Sequence, residues 1–267
     1  MYEILQYNKE PLLDKNIYYK SNTSIIYKKD NYLYKIYLKK EPFKRHVMDY
    51  LIENYELLKE ISIPPKNKLK VEDNYGLKMD YYESIDFYKY IDIIDTKEFI
   101  RVLKLLSDNL KILNNLGICL TDLHHHNILI GKDGTPKYID LDDARVNEYD
   151  STHICFLVRN LHNVEEKGYD YEDKLMKKGN LDREALVIML LDYIFDRAVE
   201  KYNYQQYQEK INEIENIFSK RLIKIFRQLK DKDDDYNINE FNYYIGDYLN
   251  NNTINKIRRL KHENSNI

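Results

Sequence analysis

The chain has 267 residues, with 42 Lys and Arg against 45 Asp and Glu, a formal net charge of −3. That near-balance gives no global attraction to nucleic acid or to an anionic membrane surface. Its two cysteines, Cys119 and Cys155, make neither a disulfide framework nor a CxxC pair, as expected for a reducing compartment. The length suffices for a large core, in one domain or two closely packed lobes. The first fifteen residues lack an apolar run of signal-peptide length. The longest aliphatic run, Ala185 to Leu191, is too short to span a bilayer. A cytoplasmic protein with no membrane span is the expectation.

In chain order, residues 17–38 alternate in β fashion. Ile17-Tyr18-Tyr19, Ile25-Ile26-Tyr27 and Tyr32 to Leu38 read as an antiparallel meander, and Lys35 falls in the middle of the third strand. The loop Ser21-Asn22-Thr23-Ser24 joins the first two strands, and no glycine occurs before Gly76. Phe43, Val47, Leu51 and Leu58 make a helical stripe over 41–61, which Pro64-Pro65 ends. Glu53 lies on the flank of that stripe. Leu69-Lys70-Val71 and Gly76 to Met79 read as two further strands around the turn Asp73-Asn74. Lys97 to Leu116 is an amphipathic helix, apolar at 99, 102, 103, 106, 110 and 113, with Gly117 as its cap.

Next comes CLTDLHHHNILIGKDGTPKYIDLDDAR, residues 119–145. Ile128-Leu129-Ile130 and Tyr138-Ile139 flank a turn rich in Gly, Asp and Pro, so they read as a β-hairpin. The hairpin should set Asn127 beside Asp140, with Asp122 on the preceding loop. Oxygen-bearing side chains so placed suit a hard cation that keeps some water and leans on a ligand's phosphates. The three consecutive imidazoles of His124, His125 and His126 point in different directions, unlike the spaced ligands of a structural zinc site. A polar stretch then runs to about Gly179, with local helix expected around 154–161. Asp182 to Leu191 reads as a buried helix capped by Asn180 or Asp182. Two or three amphipathic helices fill 204–262, broken at 231–235.

Asp122-Leu-His-His-His-Asn127, followed by Ile139-Asp140-Leu141-Asp142, resembles the catalytic loop and metal-binding motif of the protein-kinase-like superfamily. That group includes protein kinases and the aminoglycoside and choline phosphotransferases. Leu141 and Asp142 replace the Phe and Gly of the Asp-Phe-Gly motif, and Leu120 stands where the family normally has His. His124 is similar to small-molecule and atypical kinases. The resemblance implies an α+β, two-lobed, protein-kinase-like fold in a single domain: a small antiparallel β lobe over about 1–81 and a larger, mainly helical lobe over about 82–267.

It also implies ATP and Mg²⁺ as cofactors and transfer of the γ-phosphoryl group to a hydroxyl of a protein or a small molecule. Asp122 would orient that hydroxyl and take its proton. Asn127 and Asp140 would hold Mg²⁺. Lys35 would bind the nucleotide phosphates, with Glu53 as its ion-pair partner. Met79 would be the gatekeeper, and the backbone of Asp80 and Tyr82 would meet the adenine edge. Asp182 would anchor the catalytic loop, or serve only as a helix cap. The alternative is a pseudokinase, a nucleotide-binding or scaffold protein on the same fold; the missing glycines and Leu120 favour it.

Overall fold

The computed structural model describes residues 3–4, 16–38, 44–71, 73–146, 180–195, 204–215 and 255–259. It is a mixed α/β structure. The main sheet has six strands: β1 (Glu3–Ile4), β2 (Ile17–Lys20), β3 (Ser24–Lys29), β4 (Tyr32–Tyr37), β5 (Pro65–Val71) and β6 (Asn74–Asp80), in the order β1-β5-β6-β4-β3-β2. β1 runs parallel to β5 and every other pairing is antiparallel. The turn between β3 and β4 holds Asp30 at φ 53°, a left-handed position that aspartate tolerates better than most residues.

Register decides which side chains share a face, because directly opposed residues of an antiparallel pair point the same way. Lys35 lies opposite Ile26 on β3 and Leu77 on β6, and Leu77 lies opposite Lys68 on β5. Tyr37 and Leu33 follow at steps of two, and Leu33 faces Met79. One face of the sheet therefore carries Lys35, Tyr37, Lys68, Leu77 and Met79.

The stripe expected over 41–61 is two helices, α1 (Arg45–Glu53) and α2 (Tyr55–Leu58), parted at Asn54. Pro65 opens β5 rather than lying beyond a helix end, and a strand's first position tolerates its missing N–H. α4 (Thr96–Asn115) starts on Asp95, whose carboxylate accepts the Glu98 N–H at 2.8 Å. All six apolar positions named above are buried along it. Each such side chain contributes about 1.5–3 kcal/mol relative to exposure. Gly117 takes φ 69° just past the helix, a conformation that costs glycine least.

Short elements that the pattern did not disclose complete the frame. β7 (Ser84–Asp86) and α3 (Phe87–Tyr90) follow the main sheet, and β7 joins β9 (Ile128–Gly131) and β10 (Pro136–Tyr138) in the order β10-β9-β7. Gly131 lacks the Cβ that would strike the Tyr82 hydroxyl oxygen, so the chain entering β7 can lie against the hairpin. β8 (Ile118–Cys119) pairs with β11 (Arg145–Val146).

α5 (Asn180–Ile194) is buried at 182, 185, 186 and 188–194, as its all-round apolar sequence requires. α6 is Tyr204–Ile214. The helix expected at 154–161, the break at 231–235, Phe43 and Cys155 lie outside the described residues. Among the described residues, no helix is long and apolar enough to cross a membrane.

Candidate active site

Two backbone pairings assemble the site. Antiparallel β9 and β10 put Ile128 opposite Tyr138, and the Ile139 N–H donates to the Asn127 carbonyl at 3.0 Å. Asn127 and Asp140 thereby sit at the same end of the hairpin. The β8–β11 pair then ties the stretch before Asp122 to the stretch after Asp140.

The loop between β8 and β9 is held by its own hydrogen bonds. Asn127 Nδ2 donates to the Asp122 carbonyl at 2.8 Å, leaving its Oδ1 out of that bond. Asp182, in the first turn of α5, accepts the Leu120 N–H at 2.8 Å and the Thr121 N–H at 3.0 Å. Asp182 thus anchors the loop from inside the first turn of the helix. Thr121 has φ 61°, costly for a β-branched residue. Its hydroxyl donates to the Asp143 carbonyl at 3.0 Å, and this bond together with the Asp182 anchor offsets the strain. Leu120 is buried in the core.

After β10 the chain turns sharply. Asp140 adopts the left-handed conformation, φ 59° and ψ 51°, and one 3-10 turn follows over Leu141–Asp143. Leu141 is buried, so Asp140 and Asp142 flank an anchored residue. Both carboxylates reach the ammonium of Lys35, each at 2.5 Å from Nζ. The Tyr37 hydroxyl donates to the same Oδ2 of Asp142.

Exposure separates the two acids. The Asp142 side chain is 11 % exposed, whereas that of Asp140 is 46 % exposed. Burial alone would favour the neutral amine of Lys35, yet Asp142 and Asp140 outweigh it and hold the ammonium well above its usual pKa. Burial raises the Asp142 carboxyl, which Lys35 opposes and Asp140 reinforces. Burial, with Asp142 beside it, also pushes Tyr37 well up.

The structure brings Lys35 to Asp140 and Asp122 to Asn127. It does not bring Glu53 to Lys35. The buried stripe of α1 is Val47, Met48 and Leu51, and Glu53 is exposed about 190° round from its centre at 100° per residue. The helix carboxylate that does reach the sheet is Asp49, bonded to Lys68.

Met79 is half-buried on the same sheet face as Lys35. Asp80 ends β6, its carboxylate bonded to Tyr55 and 3.3 Å from Lys66 Nζ. The Tyr82 carbonyl accepts from Ser84 Oγ at 2.9 Å, and its hydroxyl donates to the Thr135 carbonyl at 2.9 Å. Sequence reasoning missed Asp142 and Tyr37. The available signal was the carboxylate standing where the family motif has glycine.

Each histidine takes a separate role. His124 Nε2 lies 3.7 Å from Asp122, His126 Nδ1 lies 3.0 Å from Asp86, and His125 is buried with its ring 6.0 Å from that of Phe87. Among the described residues, no group of three or more His, Cys, Asp or Glu could hold a metal. The hard-cation donor set here is one carboxylate and one amide oxygen, Asp140 and Asn127. That set fits a cation which completes its shell with water and phosphate oxygens.

No protein-family model matches this chain, and no curated protein matches it. Among solved structures, the kinase PK-1 of the Cydia pomonella granulovirus is similar, with TM-score 0.53 and 14% identity over 72% of this chain and 76% of that one. The chain therefore has a kinase-like fold.

Proposed function

We propose that this protein is an ATP- and Mg²⁺-dependent kinase that transfers the γ-phosphoryl group to a hydroxyl acceptor. In this reading the six-stranded sheet belongs to a small lobe ending near Tyr81, and the helical remainder forms a larger lobe. The observation that carries it is the meeting of Lys35, from the middle of β4, with Asp140, 105 residues away at the end of a hairpin. Two carboxylates on one ammonium leave an excess negative charge, and the more exposed of the two sits at the same end of the hairpin as Asn127.

Asp140 and Asn127 would hold Mg²⁺, which when bound polarises the phosphate and offsets its charge. Lys35 supplies a fixed cation for phosphate oxygens. Asp122, on the strained and anchored loop, orients the acceptor hydroxyl and takes its proton. Catalysis rests on positioning and charge stabilisation. Cytoplasmic location belongs to the same proposal.

A second reading, a pseudokinase, draws on one observation. Ser21 Oγ accepts the Thr23 N–H at 3.2 Å and the Ser24 N–H at 3.0 Å. The backbone donors of Ser21, Thr23 and Ser24 in the β2–β3 turn are thus already engaged, where a glycine-rich loop would offer such donors to phosphate. Incubation with Mg²⁺ and γ-labelled ATP, with protein and small-molecule hydroxyl acceptors, separates the two. Label transfer that fails in Asp122→Asn supports the kinase. Nucleotide binding with no transfer to any acceptor or to the protein itself supports the pseudokinase.

A further inference from the structure

We propose that Asp142, fixed by the Tyr37 hydroxyl, is the residue that positions Lys35, and that Asp140 is the partner free to leave it. The inference deepens the kinase reading and rests on it only for its consequence for ATP.

Lys35 touches two carboxylates at the same 2.5 Å, but they are not equivalent. Asp142 is the more buried, and its Oδ2 takes both the Lys35 ammonium and the Tyr37 hydroxyl. Tyr37 is two residues beyond Lys35 on the same strand, and so on the same face, with Lys35 Nζ 5.1 Å from its ring centre. Lysine, tyrosine and aspartate therefore form one closed unit. Leu141, buried beside Asp142, and the bond from Thr121 to the Asp143 carbonyl hold its base.

Asp140 shares Leu141 as a neighbour but has no tyrosine donor and far less shelter. It is about half exposed, in a left-handed conformation, with Lys35 as its side-chain partner. A charge-assisted bond shared with a second donor and sheltered from water outlasts one at the surface. The helix that could have supplied a third carboxylate is committed elsewhere: Asp49 is bonded to Lys68, and Glu53 faces solvent. When Asp140 turns to a cation, Lys35 stays in place on Asp142. The carboxylate at the family's glycine position thus does what sequence reading assigned to α1.

The test is acetylation of lysines by acetic anhydride in the absence of nucleotide and divalent cations, read residue by residue by mass spectrometry. Lys68 serves as the internal reference for a buried, paired lysine. In Asp142→Asn the Lys35 rate should rise about tenfold relative to Lys68, the loss of one charged hydrogen bond. Asp140→Asn should raise it less, Tyr37→Phe should raise it partway, and Glu53→Gln should leave it at the wild-type value. Tyr37→Phe preserves the fold of the strand and decides the matter should Asp142→Asn not fold.

Lys35 reactivity unchanged in Asp142→Asn or Tyr37→Phe would overturn the proposal, as would a larger effect from Asp140→Asn or Glu53→Gln. A parallel rise at Lys68 means general loosening and counts equally against it. Mg·ATP binding is measured separately on the same proteins. Its absence in the wild type would defeat the kinase reading and leave the acetylation result to decide the role of Asp142.

Discussion

Lys35 and Lys68 share one face of the main sheet, aligned across β4, β6 and β5 through Leu77, and they have different fates. Lys68 meets the Asp49 carboxylate of α1, 19 residues away. Lys35 meets two, both more than 100 residues away on the turn after the hairpin. The Lys68 pair is balanced in charge and joins a helix to a sheet. The Lys35 cluster carries a surplus negative charge, and one of its acids is open to solvent. The Lys68 pair joins two elements, whereas the half-exposed Asp140, at the hairpin end that Asn127 shares, would suit a cation in the proposed reading. Position on the sheet face is common to both lysines; what the distant turn brings to Lys35 makes it the candidate site.

Substitutions can break that contrast. The largest expected effect is on turnover in Asp122→Asn: phosphoryl transfer should fall about 10²–10⁴-fold, the usual cost of losing a general base, while nucleotide binding persists. A paired binding and turnover assay checks both halves. Lys35→Met should lower kcat by about 10²–10³-fold, the scale for one transition-state donor, whereas Lys68→Met should leave kcat near wild type. Equal losses in the two lysine variants would erase the distinction.

Asp182→Ala should act through the fold. It strips the acceptor from two buried N–H groups at about 1–3 kcal/mol each, so denaturant unfolding should show a loss of about 3 kcal/mol. The smallest effect belongs to Asp49→Ala. Its carboxylate is 49% exposed but the Lys68 side chain it meets is 8% exposed, so unfolding should lose about 2 kcal/mol, the scale of one charged hydrogen bond.

Much of this was legible in the sequence. The 3.6-residue spacing of Phe99 to Leu113 marked α4, and the alternation around Lys35 marked β4. The paired apolar runs marked the hairpin and so the neighbourhood of Asn127 and Asp140. Each of these signals is local.

The partner of Lys35 was not local. Choosing Glu53 required the phase of α1, and that phase turned on Met48, a buried residue left out of the stripe, and on the break at Asn54 that gave Leu58 to another helix. Asp142 could be found only by knowing that a turn 107 residues downstream folds onto the sheet. β7 escaped because its three residues, Ser84-Ile85-Asp86, are too few for a period. It exists because β9 offers it an edge. Asp182 read equally as a loop anchor and as a helix cap, because anchoring and capping aspartates share a place in sequence; only the loop packed above the helix distinguishes them.

The central claim is that Lys35 and Asp140 are the two sides of one Mg·ATP phosphate site. Thermal unfolding in rising Mg·ATP tests it most directly, with wild type and Asp140→Asn side by side. At a hundredfold excess over Kd, a ligand bound only by the folded state stabilises it by about 2.7 kcal/mol, and the wild-type Tm should climb accordingly. Asp140→Asn should lose the Mg²⁺-dependent part of that rise. A wild-type Tm unmoved by millimolar Mg·ATP, or an Asp140→Asn protein that responds as fully as wild type, would contradict the account.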